Sequence, residues 1–346
     1  MNNRENLVCA LEGEIPERIP YTIYADLGME STGLDKLMDL GFCQTLYTET
    51  VLTQPEESVK IKNYSREWNG KTAQVQSIST PLGMIEQVSL NGWVQEYFLK
   101  TPADYSIMEY AVRNSRFIFS PENFSDSEKL AGTNGITWVS CGRSPMQRIL
   151  VDYTGLENFA YHYADGFKEF WLLYETLFDH AIEFCRLIAQ GPGRYIHMNE
   201  NLTAEIWGPE RYQKYHISFY EKALPLLHSG GKKVFAHYDG KLSSISELVA
   251  ETRLNGIESF TVMPEGDMNY ADGRKAFPDK FIWSNISIGV YELPNVMLRH
   301  WVRASVSQCA PDGKNFAFGI LEDIPGNWKE KIPVILDELN NISFTR

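Results

Sequence analysis

Short apolar runs that end in polar residues recur along the chain, and most are followed by a stretch with apolar positions three and four apart. The runs fall at Ile19–Tyr24, somewhere within Phe42 to Leu52, Ile136–Ser140, Tyr195–Met198, Lys233–Asp239, Gly256–Val262, Phe281–Ser287 and Asn315–Leu321. Each is short and rich in β-branched or aromatic residues, as strands are. The intervening stretches at 155–164 and 167–189 read as helices. Gly208-Pro209 opens another, with proline at its first position and Tyr212, Tyr215, Phe219, Ala223 and Leu226 along one face. Ser244 to Glu247 reads as a capping box, followed by Ile245, Leu248, Val249 and Thr252 at helical spacing. Further helices are expected around Leu293 to Gln308 and from Trp328, where Pro333 must kink the helix or sit in an early turn. Eight strands alternating with helices predict a parallel sheet. At this length the sheet is expected to close into a (β/α)8 barrel, the TIM-barrel α/β class, with residues 1–346 as a single domain.

Residues 57–100 break the rhythm. Val59–Ile61, Thr72–Ile78, Met84–Leu90 and Val94–Phe98 alternate apolar and polar positions, separated by Asn69-Gly70, Pro81-Leu82-Gly83 and Asn91-Gly92. Asn-Gly between alternating runs is a strong hairpin signal. An antiparallel β insertion near the N-terminus is therefore expected, either as a flap or as surface decoration.

Charge and cysteine usage narrow the function classes. The formal net charge of −13 over 346 residues makes a phosphate-backbone or anionic-membrane partner unexpected. Neither a leader peptide at the N-terminus nor a run of about 18 apolar residues is apparent. The five cysteines are scattered and odd in number, with no Cys-x-x-Cys spacing. This suits a reduced, cytoplasmic setting.

In such a barrel, polar residues at the C-terminal ends of strands are the site candidates. Tyr24 and Asp26 close the first run, and Asn199 and Glu200 close the fourth. His237 and Asp239 close the fifth, Asn285 the seventh, and Glu322 and Asp323 the last, while Glu258 lies inside the sixth. His237 and Asp239 are two apart on an extended segment and so share a side. With Glu200 and Glu322 from other strands they are compatible with a divalent metal such as Zn2+, and equally with a histidine that orders a loop or binds substrate. Glu322 also reads as a group that orients such a site, or as a helix N-terminal charge. Tyr24, Asp26, Arg143, Asn199 and Asn285 are the substrate-binding candidates. Arg143 suits an anionic group or a structural ion pair. His197 reads as packed away, and His162, His180, His216, His228 and His300 as helix-surface residues. There is no glycine-rich phosphate loop and no Gly-x-Ser-x-Gly elbow.

The chain resembles the uroporphyrinogen decarboxylase superfamily. The resemblance lies in Arg4 to Pro20 with Pro16-Glu-Arg-Ile-Pro20, Ser144-Pro-Met-Gln-Arg148, Gly155-Leu-Glu157, Gly230-Gly-Lys-Lys-Val-Phe-Ala-His237-Tyr-Asp-Gly240, and Gly319 to Asn327. It covers nearly the whole length and implies the same barrel. The decarboxylases of this superfamily need no cofactor and carry an Arg-Gln-Ala-Gly-Arg signature after the first strand. Here that place reads Tyr24-Ala-Asp-Leu-Gly28, with neither arginine. The corrinoid-linked methyltransferases hold zinc with His-x-Cys and a later cysteine. Here His237 matches the histidine, Asp239 stands for the first cysteine, and Ile320 or Leu321 lies near the second.

The resemblance thus implies an enzyme that moves a methyl group from a small methoxylated or methylated donor to a corrinoid carried by a partner protein. Members that demethylate methoxylated compounds look nearest. In such an enzyme Zn2+ on His237, Glu200 and Glu322 acts as a Lewis acid, and His237, Asp239 and Glu200 are the catalytic candidates. The alternative is a cofactor-free decarboxylase of a tetrapyrrole or smaller carboxylic acid. A third is a barrel that has lost catalysis and serves as a binding subunit.

Overall fold

The computed structural model describes residues 1–344. The chain forms two compact units, one made of residues 1–50, 121–142 and 191–346, the other of 51–120 and 143–190.

The first unit is a closed parallel barrel. Its strands are β1 (Tyr21–Tyr24), β2 (Phe42–Thr48), β3 (Gly135–Ser140), β4 (Tyr195–Met198), β5 (Lys233–His237), β6 (Gly256–Phe260), β7 (Phe281–Asn285) and β8 (Phe316–Ile320). Each pairs in parallel with its neighbours in sequence order, and β1 closes the ring against β8 through Tyr21–Phe318 and Ile23–Ile320. All eight apolar runs thus contain strands, most of them with ends within two residues of the run's own.

Alternation along each strand sorts the interior into layers. Trp138, Tyr195, Phe235, Phe281, Trp283 and Ala317 form the apolar core, with Leu7, Ala10 and Leu11 of the helix Asn3–Leu11 packed into the same cluster. Trp138 and Trp283 meet at 5.1 Å between ring centroids, and the Trp283 indole donates to Thr22 Oγ1 at 3.0 Å. Two residues further along the same strands, on the same side, come His197 after Tyr195, His237 after Phe235 and Glu258 after Gly256. The barrel's own parity therefore stacks a polar layer on an aromatic one. Gly256 makes room for it, since a Cβ there would lie 2.6 Å from the Phe235 ring and 2.7 Å from the Phe281 carbonyl oxygen.

One local expectation is corrected and another is met. Ser244 caps no helix. A 3-10 turn spans Ser243–Ile245, the helix Ser246–Glu251 has no side-chain cap, and the amides of Leu242 and Ser243 donate to Asp267 instead. A carboxylate from another loop thus serves the two amides just ahead of Ser244, where the chain enters the turn. At Gly208 the backbone leaves the helix (φ 59°, ψ 171°), and the chain resumes helical form at Pro209, as proline at a first helical position favours.

The second unit carries the predicted antiparallel sheet, with strands Lys60–Trp68, Lys71–Thr80, Gly83–Leu90 and Trp93–Glu96 in that order. Asn69-Gly70 and Asn91-Gly92 form its two-residue turns with positive φ at all four positions, the geometry that Asn-Gly supplies at low cost. Ala73, Val75 and Val88 form the sheet's own apolar cluster, flanked by Trp68 and Leu90. The unit also contains a two-stranded ribbon, Val51–Pro55 with Ser115–Phe119, and the helices Pro102–Arg113, Gly155–Asp165 and Lys168–Gln190. Among the described residues, no helix is long and apolar enough to cross a membrane.

Candidate active site

Glu258 is the centre of the polar layer. It is fully buried on β6, and several groups converge on it or its partners. His237 sits opposite it in the β5–β6 register, and the two meet at 2.6 Å between His237 Nδ1 and Glu258 Oε2. His197 Nε2 lies 3.0 Å from the same oxygen, and the Tyr24 hydroxyl donates to the other. Tyr47 completes the cluster with its hydroxyl 3.3 Å from His197 Nε2. With the His197 proton on Nε2, Nδ1 is left as a bare acceptor, and it is buried with no hydrogen-bond partner among the described residues.

Charges in this layer hold one another. Burial resists ionisation of Glu258, but His237 and His197 override it and hold the carboxyl at about 2. Burial likewise opposes the charge on His237, while Glu258, Glu322 and Asp239 together push it up to about 10. Burial, reinforced by Glu258, raises the Tyr24 and Tyr47 phenols well above their ordinary range, so both stay protonated as donors.

Further carboxylates stand beyond His237. Its Nε2 lies 3.3 Å from Glu322 Oε1, and Glu322 is 47% exposed at the side chain, so the cluster runs from a dry interior to solvent. Asp239, half-buried, joins these two, and the three offer donor atoms within 4.8 Å of one another. Burial raises the Asp239 carboxyl, with His237 working against it. His197, His237 and Glu258 form a second such group, wholly buried.

The residues expected from sequence divide. Tyr24, His237, Asp239 and Glu322 come together. Asp26 lies in the turn Ala25–Leu27, close enough to act on the Tyr47 phenol. Glu200 belongs to neither metal-capable group found among the described residues. Its amide turns back onto the Met198 carbonyl (2.9 Å), which ends the extended alternation, and its fully buried carboxylate accepts from Tyr220 at 2.8 Å. Tyr220 in turn bonds Tyr238, which bonds Tyr212, so Glu200 anchors a chain of buried phenols. Asn199 accepts from Ser140 (2.9 Å) and Asn285 from the Leu321 amide (3.2 Å), both as connectors of strand ends. Arg143 belongs to the second unit and pairs with Asp152 at 3.1 Å. His197 is buried as expected, but within the polar layer. His162 and His216 are buried, not on the helix surface, and burial pushes His216 down to about 3.

No protein-family model matches the chain, and no curated protein matches it in sequence. Among solved structures it is similar to a methyltransferase from Methanosarcina mazei, over 98% of both chains, with a TM-score of 0.57 and 11% identity. At that identity the likeness establishes a shared fold. The tandem GH20 catalytic modules of the pneumococcal exo-β-D-N-acetylglucosaminidase StrH align over 94% of this chain and 84% of theirs, at 10% identity. Their TM-score of 0.41 carries no argument.

Proposed function

We propose that this chain is a methyltransferase that moves a methyl group from a small methylated or methoxylated donor to a corrinoid carried by a partner protein, with a divalent cation, Zn2+ foremost, held at the barrel mouth. One observation carries the reading. His237 has its Nδ1 fixed by a buried carboxylate and its Nε2 beside Glu322 at the solvent edge, with Asp239 close to both. Histidines that ligate metals are oriented in this way, with the second nitrogen donating to a carboxylate. The shared fold with the Methanosarcina mazei methyltransferase and the sequence resemblance at Gly230–Gly240 support the same class.

His237, Asp239 and Glu322 would hold the cation; this donor set replaces the Glu200-containing one expected from the sequence. One imidazole and two carboxylates suit a borderline or hard divalent ion. Bound there, the cation would supply Lewis acidity toward the donor's leaving atom. The chain's own residues supply the rest. Glu258 accepts the Nδ1 proton of His237, which frees Nε2 to act as a ligand. Tyr24, protonated throughout, holds Glu258 from the other side, and the aromatic layer beneath keeps water from reaching this network from below.

The test uses purified protein, free cob(I)alamin as the probe acceptor, and a panel of methoxylated aromatics and methylated amines. Formation of methylcobalamin that requires added Zn2+ is the expected result. His237→Ala should abolish both turnover and metal retention in protein that still folds by circular dichroism, although it melts lower than the wild type because Glu258 is left buried without its imidazole partner. Metal-independent carbon dioxide release from a small carboxylic acid, without methyl transfer, would put the decarboxylase in its place.

A further inference from the structure

The sixth strand contains an irregularity in the middle of the site. In a regular strand, consecutive side chains point to opposite faces. The register of β6 against β7 shifts between Ile257 and Phe260, and Ser259 adopts φ +63°, a left-handed backbone that serine seldom takes. The result departs from alternation. Glu258 reaches His237 Nδ1 at 2.6 Å, and its neighbour Ser259 donates through Oγ to Glu322 Oε1 at 3.3 Å. Both residues are fully buried, whereas the Glu322 side chain is about half exposed and reaches inward to meet the serine.

We infer that the β6 bulge is a positioning device, in which Glu258 orients His237 and Ser259 orients Glu322 so that ligands from two different strand ends face one cation. This rests on the cation site proposed above. Neither Glu258 nor Ser259 touches the cation; each acts through the ligand it holds. The strained backbone has a physical reason under this reading, because only by breaking alternation does one strand grip two ligands with consecutive residues. Backbone strain of this kind persists where the surrounding structure imposes it, and it concentrates at functional sites.

Ser259→Gly separates this role from simple stability. Glycine adopts positive φ freely, so the variant loses the hydroxyl and relieves the strain together. The expected result is a melting temperature equal to or above that of the wild type, with cobalt(II) affinity lowered several-fold and an altered visible spectrum of the cobalt(II) form. Glu258→Gln keeps the size of the side chain and removes its charge, and affinity should fall by roughly 10- to 100-fold, the usual effect of losing a group that orients a ligand. Cobalt(II) binding is read by titration calorimetry and by its ligand-field bands, independently of turnover. Wild-type protein that binds no cobalt(II) overturns the site and this role with it. Wild-type binding that Ser259→Gly leaves unchanged in affinity and spectrum overturns the positioning role alone, even if Glu258→Gln fails to fold.

Discussion

The buried pair of His237 and Glu258 makes stability depend on pH in a way that one substitution isolates. Glu258 titrates at about 2 against an ordinary 4.5, which corresponds to about 3 kcal/mol at about 1.4 kcal/mol per tenfold. His237 titrates at about 10 against an ordinary 6.5, about 5 kcal/mol on the same conversion. Both figures view one ion pair from its two ends, so they do not add, and a contribution of several kcal/mol is the working magnitude. A folded-state histidine raised above its unfolded value stabilises fully below 6.5 and loses that contribution as pH rises toward 10. A depressed carboxyl stabilises above 4.5 and loses that contribution as pH falls toward 2. Other buried groups titrate across the same range, including His216, pushed down to about 3, and Lys280, pushed down to about 8. The difference between wild type and Glu258→Gln cancels them. Denaturant unfolding of both proteins, in chelator so that no cation competes for His237 Nε2, should give a difference that is largest between 4.5 and 6.5 and shrinks on either side. A difference that stays flat from 6.5 to 10 would show that His237 is not held charged by Glu258, and the electrostatic account of the site would fail.

Packing sets two other outcomes. Gly256→Ala forces a methyl group against the Phe235 ring and the Phe281 carbonyl; it should destabilise by about 1–3 kcal/mol, as overpacked cores do, and thermal melts would measure it. All five cysteines are buried, and burial pushes the Cys43 and Cys309 thiols up to about 12. A chromogenic disulfide reagent should therefore titrate almost no thiol in the native protein and five after denaturation. Rapid native labelling would contradict the packing around them.

What the sequence makes legible, and what it hides, both trace to strand parity. The eight runs are readable because each buries a β-branched or aromatic segment between polar ends. The Asn-Gly turns mark the inserted sheet because few other dipeptides adopt that geometry cheaply. His237 is readable as a strand-end residue. His197 looks misaligned against Glu200, which lies beyond the turn where alternation stops. Against Tyr195, two residues back on the same strand, it shares the inward face. Glu258 has the same parity as Gly256 and stands beside His237 in register, but parallel register depends on which strands are neighbours and by how much they are staggered. Ser259 is beyond sequence reasoning, because no residue type announces that a strand will break its alternation. An acid inside an otherwise apolar run is the available signal, since a carboxylate there must find partners or remain uncharged.

Glu200 shows why strand ends alone are a poor guide to a site. Its position, three residues past His197, matches the expectation of a ligand at the mouth as well as Asp239 does. The two differ in the segments that lead away from their strands. Tyr238 is fully buried and its hydroxyl joins Tyr212 and Tyr220, so the residue after His237 is anchored on one side of the chain while Asp239 is left half-buried near His237. Glu200 is drawn into that same tyrosine network and is fully buried by it. The phenols that remove Glu200 from the mouth therefore also fix the segment between the two groups that remain, His237 and Asp239. On the proposed reading this division has a chemical consequence. Beside the two thiolates of the corrinoid-linked methyltransferases that the sequence resembles, the carboxylates of Asp239 and Glu322 would give the cation harder donors that pass it less electron density. A cation so held keeps more of its Lewis acidity for a leaving oxygen, which a methyl ether requires, and is less suited to the thiol activation that a thiolate-rich centre performs.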